Sequence, residues 1–133
     1  MGLTYGNLNG SSVTDYELTG GNATINFKVP VQTIAANATG TQSSGTLLPT
    51  GCPNVAVTSG GSAYSVTLPP ATAGAEIDIL CITGTNTVTV FPAPGQTINA
   101  LSANTGLAMG ALTSATFLCV IAGAWYTSPR VPS

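Results

Sequence analysis

Residues 64–70, Tyr64-Ser65-Val66-Thr67-Leu68-Pro69-Pro70, alternate apolar and polar side chains and then stop at two prolines. Alternation of this kind puts Tyr64, Val66 and Leu68 on one face of a strand and Ser65 and Thr67 on the other. Proline has no amide proton with which to continue a ladder, so the strand ends there. The same reading extends outward in both directions. Ile25, Phe27 and Val29 alternate with Thr24, Asn26 and Lys28 and end at Pro30, while Val88 and Val90 alternate with Thr87 and Thr89 before Pro92. Two segments, Ile77 to Ile82 and Phe117 to Ile121, are apolar at nearly every position, which predicts central strands covered on both faces. No stretch repeats apolar residues at helical spacing.

The connections between these strands are short. Thr83-Gly84-Thr85-Asn86 and Ala122-Gly123-Ala124 read as hairpin links, and Pro92-Ala93-Pro94-Gly95 as a turn in which proline presets one torsion and glycine supplies a positive one. The expected fold is therefore all-β, an antiparallel β-sandwich or barrel with an extended N-terminal segment. Composition divides the chain near residue 55. Residues 1–54 form an N-terminal segment of arm and added strands, 55–128 the β-sandwich module, and 129–133 a C-terminal tail. Within the first segment, Ala38 to Pro53 is rich in Gly, Ser and Thr and is expected to contact neighbouring chains. Ser65-Val66-Thr67-Leu68-Pro69 faintly echoes Thr87 to Pro92, a likeness that two proline-ended strands share by accident.

Only six of the 133 residues are charged, Asp15, Glu17, Lys28, Glu76, Asp78 and Arg130, and there is no histidine. Two cations cannot neutralise a run of phosphates, so nucleic-acid binding by counterion release is excluded, as is a basic membrane-surface helix. The longest apolar run, Phe117 to Trp125, falls well short of the roughly twenty residues a membrane span needs. The N-terminus lacks the basic start and apolar stretch of a signal peptide, which predicts folding in a cytoplasm and leaves the sequons at Asn9, Asn22 and Asn37 without meaning. Low charge also predicts poor solubility for a lone domain, and hence life inside an assembly.

The inventory of reactive groups is thin. Glu76 and Asp78 lie two apart on a strand and share a face, about 6–7 Å apart along the chain. Paired carboxylates at that separation serve glycoside hydrolysis. The better reading is a strand that starts in solvent and enters the core at Leu80, and it applies with more force to Asp15 and Glu17, a second pair in a poorer strand. Without histidine there is no Ser-His-Asp or Cys-His arrangement. Cys52, Cys81 and Cys119 have no metal-ligand spacing. Cys81 and Cys119 sit in apolar strands as buried, reduced thiols, with a disulfide between them as the lesser alternative. No catalytic residue, cofactor or metal is expected. Trp125 and Tyr126 are adjacent on a strand and face opposite ways, one to the core and one to a subunit contact. Tyr5, Tyr16 and Tyr126 are the candidate partner contacts, since a tyrosine in a Gly/Asn-rich stretch finds little of its own chain to pack on.

A wider pattern joins these elements. A strand ends at Leu68-Pro69 and is followed by Ala71-Thr72-Ala73-Gly74 and a buried strand. Thr87-Val88-Thr89-Val90 then runs into Pro92, Gly95 and Thr97-Ile98-Asn99, and Thr116-Phe117 and Trp125-Tyr126 close the series. In order and spacing, about residues 63–128 resemble small β-rich virion proteins of tailed bacteriophages, the head decoration or cement proteins. That resemblance implies a non-enzymatic structural role as a homotrimer on the outer capsid surface, bridging neighbouring major capsid protein subunits, with assembly in the host bacterial cytoplasm. Similar modules in tails and fibres make a tail-associated receptor- or glycan-binding module the alternative. A glycan-cleaving enzyme using Glu76 and Asp78 is the third reading.

Overall fold

The computed structural model describes residues 31–129; Tyr5, Tyr16, the strand-like stretch Ile25 to Val29 with Lys28, and Arg130 lie outside the described residues. Ten strands and no helix occupy this span. They are β1 (Val31–Ala35), β2 (Thr46–Leu47), β3 (Asn54–Thr58), β4 (Tyr64–Thr67), β5 (Glu76–Cys81), β6 (Val88–Phe91), β7 (Thr97–Ile98), β8 (Leu107–Met109), β9 (Ser114–Ile121) and β10 (Ala124–Pro129). The all-β expectation therefore holds. The antiparallel sandwich or barrel does not.

The chain alternates between two sheets, one ordered β1-β3-β5-β9-β10-β7 and the other β2-β4-β6-β8. In the first, β1, β3 and β5 are parallel; in the second, β2, β4 and β6 are parallel. Successive turns of the chain thus stack strand on strand, as in a short β-solenoid. Val31 pairs with Asn54, and Asn54 in turn with Asp78, so the coil advances by nearly the same length of chain each time. On the other sheet Thr46 pairs with Val66, and Tyr64 with Val88. Between these strands, antiparallel pairing enters only at the far end, where β9 joins β5 and β10, and β8 joins β6; one isolated antiparallel bridge joins Asn37 and Ser65.

The reason for the correction is physical. Alternation reports that one face of a strand is buried, and it is the same for either strand direction. A parallel pair needs a connection of a dozen or more residues, and here each connection is filled by a strand of the opposite sheet. The echo between residues 65–69 and 87–92 is consequently not an accident. Ser65, Val66 and Thr67 lie directly beside Thr89, Val90 and Phe91, and the Leu68 amide donates to the Phe91 carbonyl at 2.8 Å.

Both sheets face one core. Val55, Val57, Ile77, Ile79, Phe117, Cys119, Ile98 and Trp125 from the first meet Leu48, Val66, Leu68, Val88, Val90 and Met109 from the second. Each fully buried aliphatic or aromatic side chain contributes about 1.5–3 kcal/mol. That burial must carry the fold, because no lysine or arginine exists among the described residues to form an ion pair.

Two further expectations change. β5 and β9 are central in their sheet yet covered on one face only. Leu80 is 45 % exposed and Val120 69 %, because a two-sheet stack has one core and two outer faces. The stretch from Ala38 to Pro53, expected to reach for neighbouring chains, packs in part on its own chain. Leu48 and Cys52 are buried, and the loop lies over the outer face of β4, where Ser65 Oγ and Thr67 Oγ1 donate to the Thr41 and Gln42 carbonyls at 3.2 and 2.9 Å. Gly45 permits this approach, since a Cβ there would stand 2.5 Å from Thr67 Oγ1. The expected division near residue 55 falls at the start of β3, and residues 31–54 supply strands to both sheets.

Candidate functional site

The strand register writes out the outer face of the six-stranded sheet row by row. One row runs Val31, Asn54, Asp78, Thr116, Ser128, and the next runs Thr33, Ala56, Leu80, Ser114. On the other side of the first row stand Glu76, Leu118 and Tyr126, with Val120 next along the same face of β9. The face is therefore a polar stripe between two apolar groups. Asp78 and Glu76 are its only charged members among the described residues.

Glu76 and Asp78 share this face, as their spacing requires. They do not share a site. Asp78 is half-buried, accepts a hydrogen bond from Thr116 Oγ1, and lines a hollow of about 170 Å³ together with Val31, Asn54, Ala56, Leu80 and Ser114. Val55 and Ile79 also line it, and with side chains in the core they present backbone there. Glu76 is exposed and lines a different hollow of about 290 Å³ with Thr50, Gly51, Pro69, Pro70 and Trp125. A pair of carboxylates acting on one glycosidic bond must flank one substrate. Here the two line different hollows.

The aromatic pair divides as alternation demands. Trp125 is fully buried, at 0 % exposure, beside Ile98 of β7, and its Nε1 has no hydrogen-bond partner among the described residues. Tyr126 is 40 % exposed and paired with Leu118. Tyr126 is thus the one candidate contact that the structure describes, and it stands at the edge of an aliphatic surface. Sequence reasoning misses Leu118 and Val120 as members of that surface, because a run of apolar residues reads as covered on both faces. The available signal is in the even positions of β9, which carry Thr116, Leu118 and Val120 on the side away from the buried Phe117 and Cys119.

Cys81 and Cys119 are free, buried thiols at opposite ends of the β5–β9 ladder. The Cys119 amide donates to Ala75 and the Cys81 amide to Thr113, which separates the two thiols along the ladder by about 20 Å. No disulfide can join them. Among the described residues no cluster of His, Cys, Asp and Glu could hold a metal ion, and no helix is long and apolar enough to cross a membrane. Burial pushes the Cys81 thiol above its ordinary range. The folded state then favours the neutral thiol, so this contribution to stability is present below the unfolded thiol pKa and is lost as pH rises through the folded one. Native Cys81 is expected to resist alkylation near pH 8.5, the ordinary thiol range, and to react quickly once urea unfolds the chain. Mass-spectrometric labelling against pH and urea checks this; rapid labelling of Cys81 in the native protein would contradict its burial.

No protein-family model, curated protein or solved structure matches the chain.

Proposed function

We propose that this protein is a non-enzymatic structural subunit of a tailed-phage particle. In this reading it is a decoration or cement protein that seats on the outer capsid surface and bridges neighbouring major capsid protein subunits, acting as a homotrimer. The observation that carries the reading is the outer face of the six-stranded sheet. It exposes Val31, Leu80, Val120 and Tyr126, and its hollow is lined by Val31, Ala56 and Leu80 together with the polar side chains of Asn54, Asp78 and Ser114. Exposed apolar groups gathered on one face mark an interaction surface. Such a face suits docking on a protein shell by burial and backbone hydrogen bonds, with little dependence on ion pairs. The mechanism is mechanical: separating two capsid subunits then also requires breaking both of their contacts with the bridging protein.

A glycan-binding tail module would need a platform of exposed rings. Among the described residues Trp125 is enclosed and Tyr126 is the one exposed ring, so the tail reading gains nothing from this face. Fractionation of purified phage into heads and tails tests the proposal. The protein is expected with intact heads, in fixed ratio to the major capsid protein. Recovery with tails, or with neither fraction, would overturn it.

The N-terminal arm gives a second test. Removing residues 1–20 is expected to leave the melting temperature unchanged while lowering affinity for capsids about tenfold, the effect of about 1.4 kcal/mol of lost contact. Occupancy on purified capsids, measured beside melting of the isolated protein, reads both. Full decoration by the truncated chain would remove the anchoring role assigned to Tyr5 and Tyr16.

A further inference from the structure

Asp78 stands in the middle of the outer face, in the row Val31, Asn54, Asp78, Thr116, Ser128. It is half-buried, and it accepts a hydrogen bond from Thr116 Oγ1. One hydroxyl donor balances a carboxylate less well than a charged donor does, and no lysine or arginine exists among the described residues. Glu76, the other acid of this face, is exposed and keeps its water. The hollow beside Asp78 has walls of two kinds. Val31, Ala56 and Leu80 are aliphatic, whereas Asn54 and Ser114 are polar.

The size of the hollow, about 170 Å³, lies below the roughly 300–1,000 Å³ of small-molecule clefts, so it suits one side chain rather than a whole ligand. A partner seated on this face takes water away from Asp78. A carboxylate covered without a charged donor is strongly unfavourable, so the donor must arrive with the partner. An arginine supplies it and matches both kinds of wall. Its aliphatic stem packs on Val31, Ala56 and Leu80 while the charged head stays at the polar side. Asn54 is directly paired with Asp78, about 4.8 Å away across the parallel ladder, so a planar guanidinium with several donors reaches both side chains. A lysine ammonium is a compact, strongly hydrated point charge and gains less from a half-dry hollow.

We propose that the hollow between Val31 and Asp78 receives one arginine side chain of the protein partner that covers this face. The guanidinium sits on the Asp78 carboxylate and the Asn54 side-chain oxygen, and the stem lies against Leu80. The proposal rests on the docking reading above for the identity of that partner, a major capsid protein subunit. Val120 and Tyr126 supply the apolar part of the contact. Asp78 then fixes its register, because every misplaced docking leaves a covered charge without its pair.

Titration of the full, isotope-labelled chain with ethylguanidinium, followed by nuclear magnetic resonance, tests the hollow without a phage particle. Amide shifts at Asn54, Asp78, Leu80 and Ser114 are expected to saturate, and the affinity to fall about tenfold in Asp78→Asn. That variant keeps the shape of the side chain and an oxygen to accept from Thr116, so the fold is retained. Glu76→Gln removes the other charge of the face from a different hollow, and is expected to leave the probe's affinity unchanged. Purified heads give the second measurement. Asp78→Asn is expected to bind them about tenfold more weakly than the parent and with less dependence on salt. No shifts with ethylguanidinium, equal shifts with neutral ethylurea, or equal weakening by Glu76→Gln would overturn the proposal. So would heads that bind the parent and Asp78→Asn equally well. Shifts at these amides that appear on raising the protein concentration alone would assign the hollow to a second copy, and overturn it too. Failure of the parent itself to bind heads would instead overturn the virion reading, and with it the partner named here.

Discussion

Trp125→Ala is expected to cost about 3–5 kcal/mol, a large part of the roughly 5–15 kcal/mol that holds a domain folded. Trp125 is fully buried between the sheets and is the largest enclosed side chain. Its removal leaves a cavity that strands on both sides, fixed by their ladders, cannot fill. Its backbone carbonyl accepts the Asn99 amide at 2.7 Å, a bond the substitution keeps, so the cost falls on the packing. Trp125→Phe separates packing from polarity. Phenylalanine keeps most of the ring and deletes an indole N–H that has no partner among the described residues. Losing an unsatisfied donor offsets part of the lost packing, so this variant is expected to cost no more than about 1.5 kcal/mol. Urea midpoints followed by far-ultraviolet circular dichroism measure both. An alanine variant within about 1 kcal/mol of the parent would contradict the burial of this ring.

The largest functional effect is expected from the outer face. Val120 is 69 % exposed and Tyr126 40 % exposed, so Val120→Asp with Tyr126→Asp should move stability by no more than about 1 kcal/mol. The same pair places two carboxylates beside Leu118 and Glu76, where the proposed partner would have to desolvate them. Truncating a single interface anchor typically costs about 2 kcal/mol or more, and buried unpaired charge costs further. Affinity for capsids should therefore fall at least about a hundredfold while the melting curve stays in place. Undiminished capsid binding by this variant would exclude the β9–β10 face as the contact surface.

How far the sequence reads correctly depends on what each residue reports. Val66 and Leu68 announce a strand with one buried face, and the structure buries both. They do not announce the neighbour. Val66 would alternate in the same way beside an antiparallel strand, and only its pairing with Val90, one turn of the coil later, makes the sheet parallel. The signal for that pairing lies in the recurrence of Leu48-Pro49, Leu68-Pro69 and Phe91-Pro92 at the ends of three stacked strands. It is faint because β2 spans only Thr46–Leu47 and because the turn from Thr46 to Val66 is shorter than the turn from Val66 to Val90. Glu76 and Asp78 are legible as a same-face pair, while their separation into two hollows depends on Val31, Gly51 and Pro69, which no local pattern links to them. Tyr126 is legible as outward-facing from the alternation with Trp125. Its aliphatic neighbours are not, because burial of a sheet's second face is decided by whatever packs there.

The stacking register underlies every surface described above, since it decides which side chains share a row and which edges stay free. Nuclear Overhauser contacts in isotope-labelled protein measure it directly. Parallel stacking predicts cross-strand contacts between Tyr64 and Val88, Val66 and Val90, and Val55 and Ile79, all in constant register along the strands. Contacts between β4 and β6 that instead run in opposite directions, so that Tyr64 meets Phe91 and Thr67 meets Val88, would show an antiparallel hairpin and contradict the solenoid.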